Sequence, residues 1–339
     1  MSAIRKMKNC IKLSSKFSAF LLCLFIGTFD AKALDIKQIK TATGLKLWLV
    51  EDHKNPIVTI KFSFRGGTSQ DTPKLAGVVN LLSGLLDEGA GDFTSEEFQK
   101  ELNKNSISMS FSASRDNFEG SLVTLTETFD VAVELLSLAI NKPRFDPEPL
   151  NRVKDQVVSS IRSSKEKPNN LVGRVWWKGA FGAHPYGFPK RGTEASIGKI
   201  TRADLQEMKK NLFAKDNLII GVVGNISESR LKSAIDKVFG KLGNNAKLKD
   251  SGNAIFQNHG ETIVVERKIP QSVVVFGHEG LLRNHPDWFP ALILFEVLSG
   301  GFGSRLTEEI REKRGLTYSV SAYPLPMENA GLILGSVST

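Results

Sequence analysis

Two runs in the first part of the chain, GLKLWLVEDH (44–53) and IVTIKFSFRGGTSQD (57–71), alternate apolar with polar residues. In the second run Val58, Ile60, Phe62 and Phe64 repeat with a period of two, which predicts a strand with one buried face. The period then lengthens, and Ala76 to Leu86 has the apolar spacing of a helix. Thr94, with Glu97 three residues on, reads as a capping box opening a helix over 95–104. Strands are predicted over Ser106–Ser114 and Phe118–Leu125, then a helix from Phe129 to Ile140. A proline-punctuated turn, PRFDPEP (143–149), leads into a helix from about Leu150 to Lys165, and 170–183 has helical spacing again. Thr201 caps a helix over 202–213, LIIGVVGNI (218–226) reads as a buried strand, and Glu228–Phe239 as a closing helix.

Residues 243–253, GNNAKLKDSGN, have the composition of a linker. Beyond them the opening pattern returns. ETIVVERK (261–268) and QSVVVFGHEG (271–280) read as strands, Asp287 to Leu298 as a helix, and GLILGSV (331–337) as a last strand. This order matches residues 44–87 and predicts an N-terminal domain over 34–242, a linker over 243–254 and a C-terminal domain over 255–339. The second domain has about 85 residues against about 210 in the first, and reads as truncated. Such a half leaves an apolar strand edge open to association.

The 339 residues are 41% hydrophobic and 24% charged, the balance of an ordinary globular protein. The formal charge of +9 is misleading, because 1–33 hold six basic residues against the single acid Asp30, which leaves +4 for the remainder. No basic run with interleaved aromatics is present, so nucleic acid is not an expected partner. Residues 1–33 read as a secretory signal: a basic start, the apolar run FSAFLLCLFIGTF (17–29), and the small-x-small site Ala31-Lys32-Ala33. The run is too short for a stable membrane span. Cys10 and Cys23 both lie in this segment, so the chain cleaved after Ala33 has no disulfide. An exported protein of this kind is expected in a bacterial periplasm.

Two longer stretches carry a resemblance. HPYGFPKRGTEASIGKITRADLQEMKKNLFAKDNLIIGVVGNI (184–226) and GGFGSRLTEEIREKRGLTYSV (300–320) resemble signatures of the pitrilysin/insulinase (M16) family of zinc peptidases. The resemblance covers essentially all of 35–339. It implies an α+β protein of two homologous, LuxS/MPP-like α/β-sandwich halves with antiparallel-rich sheets, the second half incomplete. In that family the helix matching GVVNLLSGLLDEG (77–89) carries an inverted zinc motif, His-x-x-Glu-His. Here the two histidine positions fall on Asn80 and Gly84, and the catalytic glutamate on Ser83. The third ligand, a glutamate on the helix after the proline-rich turn, falls on Ser160 within QVVSSIRSSKEKP (156–168). Zinc takes imidazole, thiolate or carboxylate, and glycine offers no side chain. No metal is therefore expected on this chain. The one other histidine-rich stretch, His278-Glu279 with His285, has Leu282 where a second ligand would be needed.

Arg311 and Tyr318, seven residues apart in REKRGLTY, match a pair that binds the substrate backbone beside the zinc site in many members of the family. A cationic fork and a phenolic hydroxyl suit a developing oxyanion. The resemblance thus implies a non-catalytic, substrate-binding subunit of a heteromeric periplasmic zinc peptidase. The zinc would sit on a partner M16 chain with an intact motif, and peptide or unfolded protein would be the substrate. The alternatives are a peptide-binding or assembly protein with no part in hydrolysis, and a truncated fragment without function. The closely spaced glycines of GGFGSR (300–305) read as a tight turn between helices, since no strand–GxGxxG–helix unit surrounds them.

Overall fold

The computed structural model describes residues 34–257 and 259–339. The predicted signal, its cleavage site and both cysteines lie outside them. Residues 37–339 form one compact unit of mixed α+β structure. Its first part is built on a six-stranded sheet of β1 (Lys37–Lys40), β2 (Lys46–Glu51), β3 (Ile57–Arg65), β4 (Ser108–Ala113), β5 (Asn117–Leu125) and β6 (Leu218–Gly224). The spatial order is β1-β2-β6-β3-β5-β4. Every neighbouring pair is antiparallel except β2–β6. β2 and β3 follow one another in sequence yet never pair, because β6 arrives much later in the chain and inserts between them.

Alternation decides the faces. Val58, Ile60, Phe62 and Phe64 on β3 point into the core, as a period of two requires. Phe62 meets the Phe239 ring edge-on at 5.0 Å, and Phe64 stacks on Phe213 at 4.4 Å. Burying each such ring contributes about 1.5–3 kcal/mol. On β5, Gly120 is required opposite Phe62, since a Cβ there would lie 2.1 Å from the ring.

Eight helices accompany this sheet among the described residues: α1 (Val78–Ser83), α2 (Ser95–Lys104), α3 (Phe129–Asn141), α4 (Pro147–Glu166), α5 (Pro168–Phe181), α6 (Glu194–Lys199), α7 (Arg202–Leu212) and α8 (Glu228–Phe239). The capping box expected at Thr94 and Glu97 is present, as is a second one at Thr201 and Asp204. α1 is shorter than the 76–86 predicted. Gly77 at φ +93° opens it and Gly84 closes it, and turns replace helix over the following residues.

The second part contains β7 (Val273–Glu279), α9 (Trp288–Ser299), a π-helical turn over Thr307–Glu312, β8 (Ser319–Pro326) and β9 (Gly331–Ser338). Its sheet order, β7-β9-β8, antiparallel throughout, repeats the arrangement β3-β5-β4 of the first sheet. The strand predicted over 261–268 does not form. Its counterpart β2 pairs with β6 and β1, never with β3, and among the described residues no strand sits beside 261–268 to complete a ladder. α9 is apolar on all sides. It packs on β8, while Phe289, Ile293 and Leu294 stay exposed.

The two sheets are joined by a second core. Trp176, Trp177 and Phe181 of α5, with Tyr186 and Phe256, pack against Ala330 and Leu332. The linker segment is tied down along the first part: Lys247 N donates to the Asn211 carbonyl at 2.8 Å and Lys249 N to Gln70 Oε1 at 2.7 Å. Among the described residues no helix is long and apolar enough to cross a membrane.

Candidate functional site

The helix expected to carry the chemistry, α1, packs against α4, α7 and the edge strand β4. Its first turn has unpaired N–H groups, as every helix start does. Asp71 takes two of the N–H groups at this start, accepting from Gly77 N at 2.6 Å and Val79 N at 3.2 Å. Burial pushes the Asp71 carboxyl up to about 7, outweighing those two hydrogen bonds and the nearby Lys249. Gly77 cannot be replaced without a shift, because a Cβ there would lie 2.6 Å from the Arg191 carbonyl oxygen.

Asn80, Ser83 and Gly84 lie at the middle and end of α1, and Ser160 lies on α4. Ser83 is buried, and its hydroxyl donates to the Asn80 carbonyl at 2.8 Å. Gly84 leaves its side-chain position empty, and a Cβ there would press on Val153 Cγ1 at 3.3 Å. The Ser160 hydroxyl accepts from Arg191 Nη1 at 3.1 Å. It lines an open depression of about 930 Å³ along α4, with Glu148, Asn151, Asp155 and Ser159. Beside it, Glu194 receives Arg162 at 2.8 Å and Lys165 at 2.6 Å, and those two hydrogen bonds hold its carboxyl below the usual range. A zinc site needs anionic or imidazole donors. The four positions that the family resemblance assigns offer an amide, two hydroxyls and a glycine, with a guanidinium bonded to the fourth. The residues do not fit the metal. Among the described residues no group of three or more His, Cys, Asp or Glu is placed to hold one.

Arg311 and Tyr318 belong to the second part. Arg311 lies in the π-helical turn, its guanidinium 5.2 Å from the centre of the Phe302 ring and its Nε 3.3 Å from Glu312 Oε1. Tyr318 precedes β8 and is 88% exposed. Among the described residues, neither side chain hydrogen-bonds to the other or to α1 or α4. His184 belongs to the turn of the HPYG stretch: its Nδ1 accepts from Tyr186 N at 3.2 Å.

Sequence reading missed Arg191 and Asp71. Asp71 had a usable signal, an acid shortly before a helix start. Arg191 had none, because its contact with Ser160 spans thirty-one residues.

Comparison with known proteins matches both parts. Residues 46–194 match the family model described as insulinase (peptidase family M16), and residues 199–339 the one described as peptidase M16 inactive domain. A Helicobacter pylori protein named non-peptidase homolog YmxG is 28% identical over 311 residues, covering 89% of this chain and 70% of that protein. An uncharacterized zinc protease, YmxG of Bacillus subtilis, is 25% identical over 298 residues, covering 88% of this chain and 72% of its own. The crystal structure of a peptidase M16 inactive domain from Pseudomonas fluorescens superimposes with a TM-score of 0.81 at 27% identity, covering 90% of this chain and 74% of the other.

Proposed function

Since the chain belongs to the M16 peptidase family, we propose that it is the non-catalytic, substrate-binding subunit of a heteromeric zinc peptidase. The observation that carries this reading is the set Asn80, Ser83, Gly84 and Ser160, non-liganding at all four metal-site positions, with Arg191 bonded to the last. The name of the Helicobacter relative and that of the Pseudomonas domain support an inactive chain. In this reading the two parts are homologous M16 modules. Hydrolysis occurs on the zinc of a partner M16 chain with an intact motif, and Arg311 and Tyr318 donate to the substrate backbone there. The substrate is a peptide or unfolded chain, bound extended. The location is the periplasm, reached by removal of residues 1–33, so mass spectrometry of the exported protein should find Leu34 at its N-terminus.

A second reading, a peptide-binding or assembly protein without a part in hydrolysis, is favoured by one observation. Arg311 is engaged by Phe302 and Glu312 rather than aimed at α1 or α4. Co-expression with M16 chains that carry the intact motif, followed by chromatography and peptide cleavage, separates the two. A complex more active than the partner alone supports the subunit. A complex that forms and cleaves no faster supports the second reading.

A further inference from the structure

We propose that the Arg191 guanidinium, resting on Ser160 where the family resemblance puts a metal ligand, anchors a subsite for a peptide carboxylate, with Lys190 and Arg115 beside it. This rests on the substrate-binding reading and deepens it, by naming what the chain holds. It needs neither Arg311, Tyr318 nor a zinc-bearing partner.

The backbone fixes where Arg191 stands. Gly192 N donates to the Pro189 carbonyl at 2.8 Å, which closes a turn. That turn lies directly on the start of α1: a Cβ on Gly192, at φ +75°, would come within 2.1 Å of the Ala76 carbonyl oxygen. From there the Arg191 side chain reaches α4, and its Nη1 donates to Ser160 Oγ at 3.1 Å. A guanidinium carries five N–H donors in a rigid fork. Among the described residues the other four have no partner, and Arg191 is exposed.

Neighbouring acids do not neutralise it. Glu194, three residues on, is taken up by Arg162 and Lys165. Arg152, further along α4, is taken up by Glu88 at 2.5 Å. Arg115, Lys190 and Arg191 remain, and among the described residues none of the three forms an ion pair with a carboxylate. Asp116, next to Arg115, spends one oxygen on the Tyr186 hydroxyl and the other on Glu328 N. Arg115 is held by its Nε on the Tyr186 carbonyl and by its stacking over Trp177, so its terminal nitrogens are unspent. Partial burial, and then Arg115 and Arg191, hold the Lys190 ammonium below its usual range. Like charges kept this close repel one another, and a bound anion would relieve that repulsion.

The chemistry selects the anion. A zinc ion polarises a carbonyl and activates water. A guanidinium stays protonated and offers no place to activate water, but it takes a carboxylate through two parallel N–H bonds. The place therefore binds and does not cut. The depression beside it runs along α4 from Glu148 to Ser163, roughly 22 Å at the helical rise. Asn151, Gln156, Ser159 and Ser163 line it with amides and hydroxyls, the groups that bond a peptide main chain. Asp155 lies about 7–8 Å from Ser160 along the helix axis, and has no ion-pair partner among the described residues. A peptide in the depression thus sets its carboxylate on Arg191 and keeps acidic residues away from Asp155.

The probes are three fluorescent decapeptides of one uncharged sequence: one with a free C-terminal carboxylate, one amidated, and one amidated with glutamate as its last residue. Each is titrated into the mature chain and followed by anisotropy. The free acid should bind saturably, and about tenfold or more tightly than the amide. A glutamate peptide that matches the acid assigns the carboxylate to a side chain, and one that matches the amide assigns it to the chain terminus; both outcomes support the subsite. Arg191→Ala should bring the acid down to the affinity of the amide and leave the amide unchanged. Arg191→Lys should recover only part of the difference, because lysine is a point charge and not a fork. Ser160→Glu should also erase the preference, since the new carboxylate takes the guanidinium internally. That variant, and the acid–amide comparison on the wild-type chain, keep the test decisive if Arg191→Ala does not fold.

Equal binding of acid and amide overturns the subsite and leaves peptide binding as such intact. An acid preference that survives in well-folded Arg191→Ala overturns it too, by locating the carboxylate elsewhere. Failure of all three peptides to bind overturns it, while cleavage by the assembled complex still decides the subunit role. A preference that depends on Arg191, together with a complex that cleaves no faster than the partner alone, keeps the subsite and removes that role.

Discussion

The Tyr186 hydroxyl donates to Asp116 Oδ1 at 2.5 Å and accepts from the Asn329 N–H at 3.1 Å. One fully buried side chain so ties the HPYG turn to the β4–β5 turn and to the β8–β9 hairpin. The other Asp116 oxygen accepts from Glu328 N at 3.1 Å, and Glu328 pairs with Arg65. Arg115 seals the joint, with its guanidinium 3.6 Å over the Trp177 ring and its Nε donating to the Tyr186 carbonyl at 3.1 Å. Burial, with Asp116 alongside, drives the Tyr186 phenol far above its ordinary range, so it stays a donor at any working pH. The most recognisable stretch of the sequence is thus a clasp between the two sheets.

Tyr186→Phe keeps the ring and removes only the clasp. Leaving Asp116 and the Asn329 N–H each short of a partner should cost about 1–3 kcal/mol, measured by urea unfolding. Proteolytic cleavage within 326–330 should quicken. An unchanged unfolding midpoint would show that the packed rings alone hold the hairpin.

Asp71 should make stability fall as pH rises. Its carboxyl keeps its proton up to about pH 7 in the folded chain, and ionises near its ordinary value of 3.8 once unfolded. Between those values the folded state binds more protons, so the slope is negative, at most about 1.4 kcal/mol per pH unit. Asp87, raised by burial to about 6, adds to the lower part of that window. Melting temperatures should therefore drop from about pH 4 to about pH 7, and Asp71→Asn should flatten the curve. Identical curves for the two proteins would refute this.

The dialysed mature chain should hold no stoichiometric zinc, and about one tightly held zinc per chain by elemental analysis would contradict the reading of α1 and α4. Installing Asn80→His, Ser83→Glu, Gly84→His and Ser160→Glu should create a weak site. Adding Arg191→Ala should strengthen it, because the guanidinium that now contacts Ser160 would otherwise pair with the new carboxylate. Equal zinc affinity with and without Arg191 would remove that role.

In an assembled complex, Arg311→Ala and Tyr318→Phe should each lower kcat/KM on the order of a hundredfold, or about 3 kcal/mol, the usual loss for one oxyanion donor. Assembly should be intact by chromatography. Arg311→Lys should not restore the rate, because lysine presents a point charge in place of a planar fork. Full activity in the well-assembled double variant would rule the assignment out.

Local pattern was enough wherever the physics is local. The alternation of β3, the capping box at Thr94 and Glu97, and the helix Glu228–Phe239 were all readable, because side-chain period and caps are set by neighbours a few residues apart. That Asn80, Ser83, Gly84 and Ser160 carry no side chain of the kind zinc prefers was equally plain, since it depends on residue type alone, although their assignment to a metal site rests on the family resemblance. Three things were decided only in three dimensions. The segment 261–268 has the right alternation and still makes no strand, because a strand needs a partner that its own residues cannot supply. The contact of Arg191 with Ser160, and the clasp of Tyr186 on Asp116 and Asn329, join residues far apart in the chain. The raised carboxyl of Asp71 follows from burial, which the fold as a whole creates. Sequence determined which residues can bond and how each segment repeats; the tertiary structure determined which of them meet.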